Sequence, residues 1–204
     1  MNGTRSILLH LHEDYTEPVR DPLWKNIYLS QPLKKIAGTV PFQALSRIKQ
    51  LGPAFLVYPG ATHTRLGHSF GVFHIAKRLI EALVSCHGCG NLSVEGVKGF
   101  LCAAMLHDLG HFPYAHSLKE LPLKDHETLT GEIILSSRIG ALIREELGVD
   151  PGFVAAIVDT HLPVEGNGEI PFFRNLLSGV LDPDKLDYLT RDAYFCGVPY
   201  GIQD

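Results

Sequence analysis

The run Leu106-His107-Asp108-Leu109-Gly110-His111 sets an imidazole beside a carboxylate at the end of a very apolar stretch. Neighbouring residues on a helix cannot point both side chains one way, yet both can reach a metal ion at a helix terminus. An ionised aspartate there is costly to bury unless it is paired or metal-bound. Taken alone, the pair fits a satisfied core contact equally well. Thr64-Arg65-Leu66-Gly67-His68-Ser69 supplies Arg65 and His68, three apart and so on one helical face. One can ligate while the other holds an anionic group. Asp182-Pro183-Asp184-Lys185-Leu186-Asp187-Tyr188 supplies Asp184 in the first turn of a helix, with Tyr188 and Arg191 continuing its stripe. Asp184 can equally serve only to complement the helix N-terminus, worth ~0.3–1 kcal/mol. Asp187 and Arg191 fit an i, i+4 surface pair of similarly small value as well as they fit a functional role.

Helices must position these residues. Phe42, Leu45, Ile48 and Leu51 recur at helical spacing, closed by Gly52. Arg65 to about Ser85 carries an apolar stripe of Phe70, Phe73, Ala76, Ile80 and Leu83. Ser93 is the expected N-cap of a helix ending near Leu109 and Gly110, and Asp125 that of a helix through Leu135. Arg138 to Leu147 is amphipathic. Asp150-Pro151 and Asp182-Pro183 are start signals, a cap followed by proline in the first turn. They predict helices to about His161 and about Phe195, the second stopped by Gly197. The first forty residues read as an extended or loop segment packed on the core, broken by Pro18, Pro22, Pro32 and Pro41. Ile7 to Leu11 and Trp24 to Leu29 fit short strands. The expected fold is mainly α, an irregular helical bundle with little or no β at the N-terminus. Residues 41–204 would form its main domain.

Composition sets the outer bounds. The chain has 204 residues, 45% hydrophobic and 20% charged, with a formal charge of −4. That is globular and does not indicate a nucleic-acid binder. Arg5, Arg20, Lys25, Lys34, Lys35, Arg47 and Lys49 are dispersed, as on a solvated surface. No segment approaches the ~20 apolar residues that span a bilayer, and the N-terminus lacks a leader pattern. A cytoplasmic protein without membrane partners is the expectation. The four cysteines form no disulfide framework. Cys86-His87-Gly88-Cys89 is a single pair, where a structural zinc site normally needs two.

Taken together and in order, these motifs resemble a known family. Arg65-x-x-His68, then His107-Asp108, then Asp184 is similar to the H…HD…D signature of HD-domain metal-dependent phosphohydrolases. The resemblance is closer to the deoxynucleoside triphosphate triphosphohydrolase branch. Phe42-Gln43, Ile48 to Gly52, Tyr58 to Ala61, His68 to Val72, His107 to His116, His126-Glu127 and Asp184 to Tyr188 with Arg191-Asp192 carry it. It implies an HD-type bundle and a divalent metal ion held by His68, His107, Asp108 and Asp184. Two imidazoles and two carboxylates suit Mn, Fe, Co, Ni, Zn or Mg without choosing among them.

The resemblance also implies roles for other residues. His126, paired with Glu127, matches the proton-donating or water-orienting histidine. His111 and His116 would join it at the phosphates, where Arg65, Lys185 and Tyr188 match contacting positions. Gln50, Leu51 and Asp192 match sugar contacts. The implied substrate is a nucleotide, with deoxynucleoside triphosphate cleaved to deoxynucleoside and triphosphate. Other HD-type nucleotidases or phosphodiesterases, or a non-catalytic nucleotide- or nucleic-acid-binding module, are the alternatives. Relatives often assemble into homo-oligomers. Two substitutions depart from the branch. Ser46 stands where the vertebrate enzyme has an arginine in its nucleotide-regulatory site. Lys119 stands where it has an acidic residue beside the catalytic histidine. The chain also stops at Asp204, before further phosphate and base contacts would be expected.

Overall fold

The apolar stretch before His107 forms helix α5 (Val94–Leu106), in which every residue from Phe100 to Leu106 is fully buried. A helix apolar on all sides belongs in the centre of a fold. Its start is fixed as expected: the Ser93 hydroxyl accepts the Gly96 amide at 2.8 Å. This computed structural model describes residues 2–88, 90–113, 123–136, 138–164, 167–180 and 182–199. Among them the chain is mainly α, with a single two-stranded sheet.

Helix α4 (Arg65–His87) runs along α5, and α10 (Pro183–Cys196) lies against α4. On the other side α5 meets α8 (Pro151–Val158), which also contacts α6 (His126–Ser136) and α9 (Glu169–Leu177). Phe100 and Phe173 stack at 4.9 Å where α9 closes the core. α9 is additional to the expected set, although Ile170, Phe173 and Leu177 mark a buried helical stripe. Arg138–Leu142 (α7) continues through a π-helical turn to Leu147. No helix among the described residues is long and apolar enough to cross a membrane.

The first forty residues are more ordered than their prolines suggest. Asn2–Glu13 is helix α1, not a strand over Ile7 to Leu11. Ile7 and Leu11 are fully buried one turn apart, the spacing of a helical face. Tyr15–Asp21 (β1) pairs antiparallel with Lys25–Ser30 (β2), which is the second expected strand. Pro18 is tolerated because a two-stranded sheet has only edge strands. Pro32 and Pro41 do not break helices but open them, in α2 (Gln31–Ala37) and α3 (Val40–Ala44).

The helix expected over Phe42 to Leu51 ends early. α3 gives way to a 3-10 turn at Leu45–Arg47, and Ile48 is extended. The chain then bridges the entry of α4: Arg65 donates its amide to the Ile48 carbonyl, and Gln50 its amide to that of His63. This tertiary pairing supersedes the local helical period. α5 also stops short, at Leu106 rather than Gly110, so His107 and Asp108 sit in the turn that follows. α8 ends at Val158, not His161; Arg174 donates to the carbonyl of Ala156 in its last turn and to those of Asp159 and Leu162 beyond it.

Candidate metal centre and active site

Helix ends bring the expected ligands together. His68 lies in the first turn of α4, Asp184 in that of α10, and His107 caps α5. His68 Nε2 is 2.8 Å from Asp184 Oδ1, and His107 Nε2 is 3.7 Å from the same oxygen. The donor atoms of these three residues lie within 4.8 Å of one another. Bonds of about 2.1 Å to a shared ion would set neighbouring donors roughly 3 Å apart.

The donor chemistry fits a cation. His107 gives its Nδ1 proton to the Ala104 carbonyl at 2.9 Å, which leaves a lone pair on Nε2. That Nε2 is buried and has no hydrogen-bond partner. His68 gives Nδ1–H to Asp187 Oδ2 at 2.8 Å, so its Nε2 lone pair would face the Asp184 carboxylate. Without a cation the imidazole must carry a second proton. Burial would lower its pKa, but the bonds to Asp184 and Asp187 override that and push it up to about 10. Burial would likewise raise Asp184, yet His107 and His68 hold it well below the usual carboxylate range. A divalent ion would replace the extra proton and satisfy the orphaned nitrogen.

Asp108, the fourth expected ligand, stands at the edge of this cluster. Its Oδ1 is 3.4 Å from His107 Nε2 and 3.3 Å from His111 Nε2, while Oδ2 accepts Arg65 Nη1 at 2.6 Å. Burial would raise its pKa; His107 and Arg65 hold it low. Arg65, expected on a phosphate, is thus engaged with a carboxylate and only 5% exposed.

A cavity of about 560 Å³ opens beside the centre. Gln50, Leu51, Arg65, His111, His126, Glu127, Lys185, Tyr188 and Asp192 line it together with His107, Asp108 and Asp184. His68 holds the cluster from behind. His116 and Lys119 lie outside the described residues, as does Cys89. His111 and His126 stack with ring centroids 4.0 Å apart. Their approach depends on Gly110, where a Cβ would meet the His126 carbonyl at 2.2 Å. Burial above all lowers His111 to about 3, so its ring is neutral. The carboxylate beside His126 is Asp125 (Nδ1 to Oδ1, 3.3 Å), where Glu127 was the expected partner. Glu127 is raised, by burial and then by Asp125. Lys185 bonds the Gly179 carbonyl and Asp182. Asp192 accepts His63 Nε2 at 2.7 Å. Ser46 is exposed and bonds the Gln43 carbonyl.

Of the two readings open for Asp187 and Arg191, the surface pair does not hold. They are 0% and 1% exposed. Arg191 grips Asp187 through Nε and Nη2, at 2.7 and 3.0 Å, and reaches Asp21 with Nη1 at 2.8 Å. Arg191 therefore leaves the stripe of Asp184 and Tyr188 and points away from the cavity. Asp187 fixes the tautomer of His68, an outer partner of the kind that orients metal-binding histidines. Gly71 makes this possible, since a Cβ there would lie 1.8 Å from Asp187 Oδ1. The usable signal was chemical: a ligating histidine needs an acceptor for its other nitrogen, and Asp187 sits one turn beyond Asp184.

Comparison with known proteins agrees with this architecture. The HD domain family model matches residues 65–186, more than half of the chain, and the chain belongs to that family. It is 36% identical over 189 residues to the uncharacterized protein YwfO of Bacillus subtilis, covering 91% of this chain and 41% of that protein. It is 30% identical over 220 residues to the human deoxynucleoside triphosphate triphosphohydrolase SAMHD1, covering 94% of this chain and 35% of that one. A crystal structure of a phosphohydrolase from Bacteroides thetaiotaomicron superposes with a TM-score of 0.72 at 30% identity, over 88% of this chain and 42% of that chain. A hypothetical protein from Aquifex aeolicus gives 0.75 at 32% identity, over 92% and 48%. The chain thus spans less than half the length of these relatives.

Proposed function

We propose that this chain carries the catalytic centre of a metal-dependent phosphohydrolase that hydrolyses a nucleotide phosphoester. One observation carries the reading. The unpartnered Nε2 of His107, with His68 and Asp184 around the same point, adjoins a cavity that also bears Arg65, Lys185, His111 and His126. A divalent ion held by His68, His107, Asp184 and Asp108 would polarise the phosphoryl group and lower the pKa of bound water. Mn, Fe, Co, Ni, Zn and Mg all suit those donors.

The chain's own side chains supply the rest. Arg65, through the guanidinium it shares with Asp108, and Lys185, beside Asp182, line the cavity and would attract phosphate oxygens, more strongly as negative charge builds in the transition state. Neutral His111 bonds a phosphate oxygen without competing as a cation. His126, beside Asp125, gives a proton to the leaving oxygen. Gln50 and Asp192, both hydrogen-bond acceptors at one wall, select a sugar hydroxyl.

The specific reaction proposed is deoxynucleoside triphosphate to deoxynucleoside and inorganic triphosphate. The likeness to proteins with that named activity supports it. The test offers the purified protein, with Mn or Mg, the four deoxynucleoside triphosphates, ribonucleotides, monophosphates and a generic phosphodiester. Release of inorganic triphosphate is expected. Orthophosphate release or diester cleavage would keep the metal chemistry and overturn the substrate. Metal binding without turnover on any of them would favour a binding module.

A further inference from the structure

The N-terminal hairpin ends at the back of the metal centre. Trp24, the chain's single tryptophan, donates its indole N–H to Asp187 Oδ1 at 2.6 Å. This is the carboxylate whose other oxygen holds His68 Nδ1. An ionised carboxylate has about four acceptor sites. Asp187 fills them with Trp24, His68 and the two bonds from Arg191.

Trp24 is itself held in place. Asp21 Oδ1 accepts the backbone amides of Leu23 and Trp24, both at 2.9 Å. Asp21 Oδ2 accepts Arg191 Nη1. Lys25 turns the chain with φ of 62°, and the indole stacks on His74, further along α4 from His68, at 5.7 Å. Hairpin tip, α4 and α10 thus share one buried polar network, which is rigid when every member is satisfied.

We propose that Trp24 is a positioning residue for the metal centre: its indole N–H locks the rotation of Asp187, and Asp187 aims His68 Nε2 at the ion. The proposal rests on the reading of His68 as a metal ligand. An indole N–H is a donor only and does not titrate near neutral pH, so the lock holds at any working pH. Removing it leaves Asp187 Oδ1 to Arg191 alone and lets the carboxylate plane swing with the His68 ring.

The test is calorimetric titration of the metal-free protein with Mn alone, below its melting temperature. Trp24→Phe keeps an aromatic face for His74 and removes the donor. We expect Mn to bind about tenfold more weakly, the lower end of the range for lost outer partners of a metal site. Because the tryptophan is unique, it can also be replaced throughout by its benzothiophene isostere, which changes only N–H to sulfur. That protein decides the question if Trp24→Phe does not fold, and the same loss is expected. Mn affinity within twofold of wild type in the isostere would overturn the proposal, as a merely structural role lowers the melting temperature and leaves affinity alone. Undiminished Mn binding by His68→Ala would instead remove the ligand assignment beneath it.

Discussion

The imidazoles of His111 and His126 lie face to face, 4.0 Å between centroids and 25° between planes, at the mouth of the metal centre. Two such rings cannot both be charged cheaply, and the buried one is neutral. The proposed reaction places proton transfer on His126. His126→Ala should retain metal and lower kcat by about 10²–10⁴-fold. A raised KM with unchanged kcat would remove the proton-transfer role.

His111 also sets a pH dependence. Its folded pKa, about 3, lies below the ordinary 6.5. Between those values the unfolded chain takes up a proton that the folded chain refuses, so its contribution is intact above pH 6.5 and falls as the solution is acidified toward 3. Wild type and His111→Gln, compared by denaturant melts from pH 7 to 4.5, should show the wild type losing more stability. Parallel curves would contradict the assignment.

His107→Ala and Asp184→Ala should each abolish turnover and empty the site of metal, read by elemental analysis of the purified protein. Full occupancy with normal activity in either would rule out these ligands. Asp108→Ala separates two roles. Its carboxylate pairs with Arg65 at 2.6 Å, so removal also frees a buried guanidinium. Lost metal is expected, together with a lower melting temperature.

Metal should bind the folded chain and not the unfolded one, because its ligands are drawn from α4, the end of α5 and α10. At a hundred times its dissociation constant this adds about 2.7 kcal/mol. For a chain of this size the melting temperature should rise by roughly 5–10 °C, and a chelator should reverse it. An unchanged melting curve at saturating metal would contradict a site shared by three helices.

Gly71→Ala should be more damaging than its size suggests. The added carbon would sit 1.8 Å from Asp187 Oδ1 and 2.6 Å from Arg191 Nη2, both buried. Crowding of this kind costs about 1–3 kcal/mol or more. Chemical denaturation should show it, with metal affinity falling alongside. A variant as stable as wild type would mean that α4 and α10 separate easily.

Much of this was legible in the sequence because chemistry and punctuation are local. Ser93 and Asp182 cap helix starts with their own side chains and Gly197 ends α10 in the left-handed conformation, as their types suggest. Among the described residues, most of those expected at the metal and substrate line one cavity, with His68 behind it, and the metal-side ones stand near helix ends. What was not legible depends on distant partners. Asp187 and Arg191 look like any i, i+4 surface pair until Asp21, Trp24 and His68 close around them. The Phe42 to Leu51 periodicity is real, yet Lys49 pairs with Thr64 instead of continuing a helix. Pro32 and Pro41 carry the same signal whether they break a helix or open one; only the residues after them decide.

The bond between Asp21 and Arg191 joins residues 170 apart in the chain. At synthesis rates of 5–20 residues per second, roughly 10–30 s separate their emergence from the ribosome. The hairpin must wait for α10 before the second oxygen of Asp21 meets Arg191. The metal centre therefore cannot close before α10 has emerged, and a stall ahead of it would release a helical body that lacks Asp184, Asp187 and Arg191.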